Sequence, residues 1–166
     1  MESLEALMAA HGAALLRLAF MLTGSADAAH DLTQDTCVKL HRHWTKVARA
    51  DSPLAYAKKV MVNEYTRNAK RRVSSEIPVA DPVVLAGEPA GGSFEGHLVD
   101  RDRLWTLLGT LSPAERAAVV LRYYEDLSDT QAAVLLGCRA STVRSNTARA
   151  LARLRRAVGA GEGVSL

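Results

Sequence analysis

A chain of 166 residues and 17.9 kDa has room for one ordinary domain or two small ones. Its 48% hydrophobic and 23% charged residues exclude a mainly disordered polymer, and only 5% aromatics beside abundant alanine and leucine favours helices over a β-sandwich. The net charge of +3 divides into +4 over residues 1–72, −5 over 73–100 and +4 over 101–166, and two basic blocks of this kind suit a polyanionic partner.

The first predicted helix covers about residues 3–22, where Leu4, Leu7, Met8, Leu15, Leu18, Ala19 and Leu22 recur at helical spacing and Gly24 follows as a stop. No apolar stretch is expected to reach the roughly 18 to 20 residues of a membrane span, because Arg17 interrupts the best candidate. A basic start, an apolar core and a small-residue cleavage site are also missing from the N-terminus, so no secretory signal is read and the chain is expected to be cytoplasmic, with no membrane partner.

A second helix is expected over residues 26–47. At 100° per residue Ala29, Leu32, Leu40, Trp44 and Val47 share one face, which should be core. Asp31, Gln34, Asp35, Val38 and Arg42 gather on the opposite face, which reads either as solvated surface or as a docking site for a partner. The same helix carries Cys37 and His41, four residues apart and able in principle to share a metal, but His30 sits about 10 Å away along the axis. A partly buried cysteine and surface histidines are the simpler reading. Cys37 and Cys138 are too few for a disulfide scaffold, fit a reducing compartment, and have no resolving cysteine beside them.

Asp51-Ser52-Pro53 opens a third helix, with a capping residue ahead of a proline in the first turn. Leu54, Met61 and Tyr65 mark its inner face. Tyr56, Lys59, Asn63, Thr66, Arg67 and Lys70, closed by Arg71 and Arg72, mark its outer face. Cations for phosphates, an amide able to read a base edge and a ring able to stack make a nucleic-acid surface, although a plain solvated cationic helix end reads the same way. Residues 73–100 then hold five acids, no Lys or Arg, three of the five prolines and Gly91-Gly92, a composition that cannot build a core and reads as a flexible acidic linker.

The last block has the sharpest punctuation. Ser112-Pro113-Ala114-Glu115 is a capping box expected to open a helix to about Glu125, and Ser128-Asp129-Thr130-Gln131 is a second one opening a short helix to Leu136. Gly137 suits a left-handed cap, and a long helix is expected from Ser141 to Val158. Short helix, glycine turn and long basic helix make a helix-turn-helix. Val143, Thr147, Ala150, Leu151, Leu154 and Val158 form the packing face of the long helix. Thr142, Ser145, Asn146, Arg149, Arg153 and Arg156 point away from it, with Arg144 and Arg155 on a flank. Arginine can read guanine and asparagine adenine in a major groove; a surface helix or a membrane binder is the competing reading. A Gly-rich phosphate loop, a nucleophile–base pair and a metal-ligand cluster are all missing, so no enzyme activity, cofactor or metal is expected.

These segments resemble a known family. Asp31-Leu32-Thr33-Gln34-Asp35 with Leu40 and Trp44 is similar to the core-polymerase-binding helix of bacterial sigma factors, and Pro53-Leu54-Ala55-Tyr56 through Asn63 to Arg72 is similar to the helix that reads and melts the −10 element. Leu111 to Arg116, Leu121-Arg122-Tyr123-Tyr124 and Gly137 through Ser145 to Leu151 resemble the −35-binding domain. The resemblance covers nearly all the chain outside the linker and is to the extracytoplasmic-function (group IV) sigma factors, with the Ser145–Arg149 run and Ala/Arg-rich composition suggesting an actinobacterial branch.

It implies an all-α chain with sigma domain two over 1–72, an acidic linker over 73–100 and sigma domain four over 101–166. It implies that Asp31, Gln34, Asp35, Val38 and Arg42 dock on the clamp helices of core RNA polymerase. A loop formed by Ala48, Arg49, Ala50, Asp51 and Ser52, with Asn63, would hold bases flipped from the non-template strand, supported by Tyr56, Lys59, Arg67 and Lys70. Thr142, Arg144, Ser145, Asn146, Arg149 and Arg153 would meet the −35 element. Core polymerase and promoter DNA are the implied partners, and an anti-sigma factor is a candidate third. Asn146 stands where the family often has arginine, exchanging a phosphate contact for base reading, and Arg139 stands where a capping serine or proline is common. Two rivals remain: a helix-turn-helix regulator acting without core polymerase, which leaves the 31–42 face and the 53–72 helix without a task, and a helical protein-interaction module, which leaves the basic face of the last helix unexplained.

Overall fold

The computed structural model describes residues 3–74 and 98–164, and every regular element among them is helical. The chain divides into two compact units, residues 1–89 and 90–166. The expected linker lies mostly outside the described residues, but both of its expected edges are helical: one helix runs on to Ser74 and the next begins at Leu98.

In the first unit, α1 (Leu4–Thr23) starts where extended Ser3 accepts the Ala6 N–H on its hydroxyl at 3.1 Å, satisfying a donor that the first helical turn leaves free. It stops at Gly24, whose φ of 72° suits a residue with no Cβ and whose N–H donates to the Phe20 carbonyl at 2.8 Å. Ser25 at once caps α2 (Ala26–Arg42) by accepting the Ala28 N–H at 3.3 Å, so the chain reverses over two residues. The core forms where α1 packs on α2 and α4 (Pro53–Ser74) and α2 packs on α4. Leu7, Leu15, Leu18, Leu22, Leu40, Met61 and Val62 are fully buried there. Thr36 is buried among them and gives its hydroxyl proton to the Leu32 carbonyl at 2.7 Å, so no polar group is stranded.

Two expectations for this unit are corrected. The second helix is not continuous to Val47: it breaks at His43 (φ −115°, ψ 25°), and a short α3 (Trp44–Arg49) follows. The break turns α3 onto α4, with Val47 fully buried. The spacing of Leu40, Trp44 and Val47 survives a one-residue kink, so periodicity could not reveal it. The other correction concerns α1, which by length and composition alone is long and apolar enough to cross a membrane despite Arg17. A single arginine among so many Leu, Ala, Met and Phe residues does not break the apolar run. In the structure Leu7, Leu15, Leu18, Ala19, Phe20 and Leu22 of this helix are buried, and α1 packs against α2 and α4.

The second unit contains α5 (Leu98–Gly109), for which no helix was expected, α6 (Pro113–Val119), α7 (Asp129–Leu136) and α8 (Ala140–Val164). Both capping boxes form. Ser112 accepts from Glu115 N–H at 3.3 Å while the Glu115 carboxylate accepts from Ser112 N–H at 3.4 Å; for Ser128 and Gln131 the distances are 3.1 and 2.9 Å. The helix expected to run to about Glu125 is α-helical only to Val119 and continues as a π-helical turn, Val120–Tyr124. Asp126 then takes φ 55°, a left-handed conformation that aspartate tolerates better than most residues. Gly137 (φ 65°) ends α7, and the Cys138 N–H donates to the Ala133 carbonyl at 3.1 Å. Helix α8 begins one residue before the expected Ser141 and runs beyond Val158. Helices α6 and α7 pack across it, and Val143, Thr147 and Ala150 of α8 are buried, as are Ala117 of α6 and Ala132 of α7.

Candidate functional site

Burial divides α2 as its angular pattern requires. Ala29, Leu32, Thr36 and Leu40 are buried, and Asp31, Gln34, Asp35, Val38 and Arg42 are all exposed. Val38, at 51% exposure, is a large apolar side chain standing among Asp31, Gln34, Asp35 and Arg42.

On α4, Lys59, Asn63, Arg67, Lys70, Arg71 and Arg72 are exposed and Tyr56 is half-buried. The expected loop over 48–52 is shorter than supposed. Ala48 and Arg49 belong to the last turn of α3, and only Ala50, Asp51 and Ser52 connect it to α4. The Ser52 hydroxyl accepts the Ala55 N–H at 3.1 Å and therefore starts α4. Ala48, Arg49, Asp51 and Ser52 are exposed, so helix end and connection together present one short surface.

Two residues that the sequence reading did not select tie these faces together. Glu64 of α4 is 6% exposed and pairs with Lys39 of α2, while Arg67 lies 3.7 Å from the same carboxylate. A signal was present, since Glu64 falls three residues after core Met61 and a carboxylate on a buried face needs a partner. The identity of that partner depends on how α2 crosses α4. Glu64→Ala should lower stability by about 1–3 kcal/mol, less than for a fully buried pair because Lys39 can reach water. Urea unfolding checks it, and an unchanged midpoint would remove the pair from the account of the fold.

On α8, Thr142, Ser145, Asn146 and Arg149 share one stripe, with Asn146 half-buried and the others exposed. Arg149 Nη2 donates to Asn146 Oδ1 at 2.6 Å. The other two candidate arginines have different partners. Arg144 Nη1 lies 3.9 Å from Asp129, a carboxylate that also holds Arg122 Nε at 2.8 Å, and Arg153 Nε lies 3.2 Å from buried Glu115. Arg153 is thus tied to α6 as well as carried on the basic face. Arg122 also donates to the Leu127 carbonyl and thereby clamps the turn leading into α7.

Burial pushes the Cys37 and Cys138 thiols above the usual cysteine value, which keeps both protonated and weakly nucleophilic near neutral pH. Cys37 Sγ rests 3.6 Å from Met8 Sδ. Among the described residues no group of three or more His, Cys, Asp or Glu is placed to hold a metal ion.

Comparison with known proteins places these faces in context. Residues 7–74 match the profile of Sigma-70 region 2, and residues 101–154 match that of Sigma-70, region 4. The RNA polymerase sigma-E factor of Streptomyces avermitilis is 37% identical over 142 residues, 86% of this chain and 77% of that protein. The ECF RNA polymerase sigma factor SigL of Mycobacterium tuberculosis is 28% identical over 159 residues, 92% of this chain and 86% of its own. Among solved structures, the sigma factor RpoE of Bartonella quintana, in complex with the anti-sigma factor NepR, is similar with a TM-score of 0.72 and 25% identity, covering 93% of this chain and 96% of that one.

Proposed function

This chain belongs to the sigma-70 family of RNA polymerase sigma factors, in its extracytoplasmic-function group, and from that premise we propose a division of labour over its three exposed faces. As a sigma factor it binds core polymerase and directs promoter-specific initiation in the cytoplasm. The polymerase supplies the chemistry, and the work of this chain is binding.

Asp31, Gln34, Asp35, Val38 and Arg42 dock on core polymerase. The surface from Ala48 to Ser52, with Tyr56, Lys59, Asn63, Arg67 and Lys70, takes the −10 element and the bases extruded on opening, whose lost stacking it must offset. Thr142, Arg144, Ser145, Asn146 and Arg149 enter the −35 major groove, with Arg153 at the margin because it is shared with Glu115. In this reading residues 1–72 act as domain two, 101–166 as domain four and 73–100 as the tether between them. The RpoE relative is held by NepR, so an anti-sigma factor joins core polymerase and promoter DNA as a proposed partner.

The observation that carries the proposal is the placement of three unlike faces on two units: a mixed acidic face centred on exposed Val38, a cationic face on the neighbouring helix, and a basic helix-turn-helix stripe. Run-off transcription with purified core polymerase over a pooled promoter library is the test. Initiation from templates sharing one pair of upstream elements is expected. DNA binding without any affinity for core polymerase would make the chain an independent regulator and leave the α2 face without a role.

A further inference from the structure

Resting on the −35 reading above, we infer that Asn146 is a positioning residue for Arg149, an amide brace that presets the guanidinium as a fork for one base of the element. The two side chains sit one turn apart on α8 and are joined by the 2.6 Å bond from Arg149 Nη2 to Asn146 Oδ1. Asn146 is half-buried beside core Thr147, whereas Arg149 is exposed, so the less mobile partner orients the more mobile one.

The three candidate arginines of α8 differ in what holds them. Arg144 faces the carboxylate of Asp129 and Arg153 that of Glu115, whereas Arg149 bonds to a neutral amide. A carboxylate competes with DNA for the charge it holds. An amide orients the guanidinium, leaves its charge undiminished and occupies one of its five N–H donors. The donors left over can match the O6 and N7 acceptors of guanine. A side chain already held in its binding geometry loses less freedom on docking, and that gain goes to the matched base alone. Oδ1 keeps a second lone pair when Arg149 is bound, so the brace and direct adenine reading by Asn146 are told apart by which −35 position each variant flattens.

The test uses the full chain in holoenzyme with core polymerase, bound to duplex promoters in which each −35 position is varied in turn. Asn146→Ala is expected to reduce base preference about three- to tenfold at a single position, the one that Arg149→Ala also flattens. Affinity for a scrambled upstream element should fall less than affinity for the matched one, because the charge of Arg149 is retained. In the double variant the preference should be no flatter than in Arg149→Ala alone. Asn146→Asp keeps the acceptor and should keep the preference at lower total affinity, which separates bracing from a folding defect. Flattening at a different position, additive with Arg149→Ala, would show that Asn146 reads a base itself and overturn the brace. No change in preference for Asn146→Ala would overturn it too. If Arg149→Ala itself alters no −35 position, the −35 assignment of α8 falls and the brace falls with it.

Discussion

Reversing Asp31 and Asp35 together to lysine is expected to lower affinity for core polymerase by about a hundredfold or more with no loss of fold. Both side chains are exposed on α2, on the side turned away from the buried Ala29, Leu32, Thr36 and Leu40. Lysine is a better helix former than aspartate in a helix interior, so local propensity does not oppose the change. At an interface that receives acids, two introduced cations meet like charge, and such juxtaposition costs several kcal/mol, two or more powers of ten in the dissociation constant. Titration of labelled protein with purified core polymerase measures the loss, and binding of the variant to −35 DNA serves as the control. Undiminished core affinity in a folded variant would move the docking site off α2.

Much of this arrangement was legible because it is local. Ser112 with Glu115 and Ser128 with Gln131 announce helix starts that the structure builds bond for bond, and Gly137 announces the turn between α7 and α8. The inner and outer faces of α2 and α8 follow from one angle per residue, and burial falls on the expected sides. Elements that add or remove a residue without changing the apolar spacing stayed hidden. The break at His43 and the π-helical turn at Val120–Tyr124 are of this kind. Helix α5 was missed because its sequence has no cap signal comparable to those of α6 and α7, and its apolar positions make only a short pattern.

Long-range pairs were beyond reach for a different reason. Nothing in the chain order sets Lys39 against Glu64, or Arg153 against Glu115; helix crossings do. These pairs also refine the candidate site. Exposure alone would treat Arg144, Arg149 and Arg153 as equivalent cations, while their partners (Asp129, Asn146 and Glu115) give each a different cost of release toward DNA. The roles of the faces came from the resemblance, whereas their positions follow from periodicity.

The largest effect on the molecule itself is expected from Leu40→Ala. Leu40 is fully buried on α2, which packs against both α1 and α4. Truncating a buried leucine costs about 2–5 kcal/mol, a large share of the total of about 5 kcal/mol that a unit of this size can be expected to hold. The loss should be confined to one unit, because residues 1–89 and 90–166 each have their own core. The two tryptophans make this measurable, with Trp44 in the first unit and Trp105 in the second. In the full chain with either tryptophan replaced by phenylalanine, the urea midpoint seen by Trp44 should fall by about 2 M or more, taking a slope near 1 kcal/mol per M. The midpoint seen by Trp105 should hold. Where the loss uses up the stability of the unit, polymerase docking and −10 opening are expected to fail together while −35 DNA binding through α8 persists, whereas the Asp31/Asp35 reversal is expected to remove docking from a folded unit. A shared shift of both midpoints would mean that the units unfold as one, and the assignment of separate tasks to separately stable units would have to be abandoned.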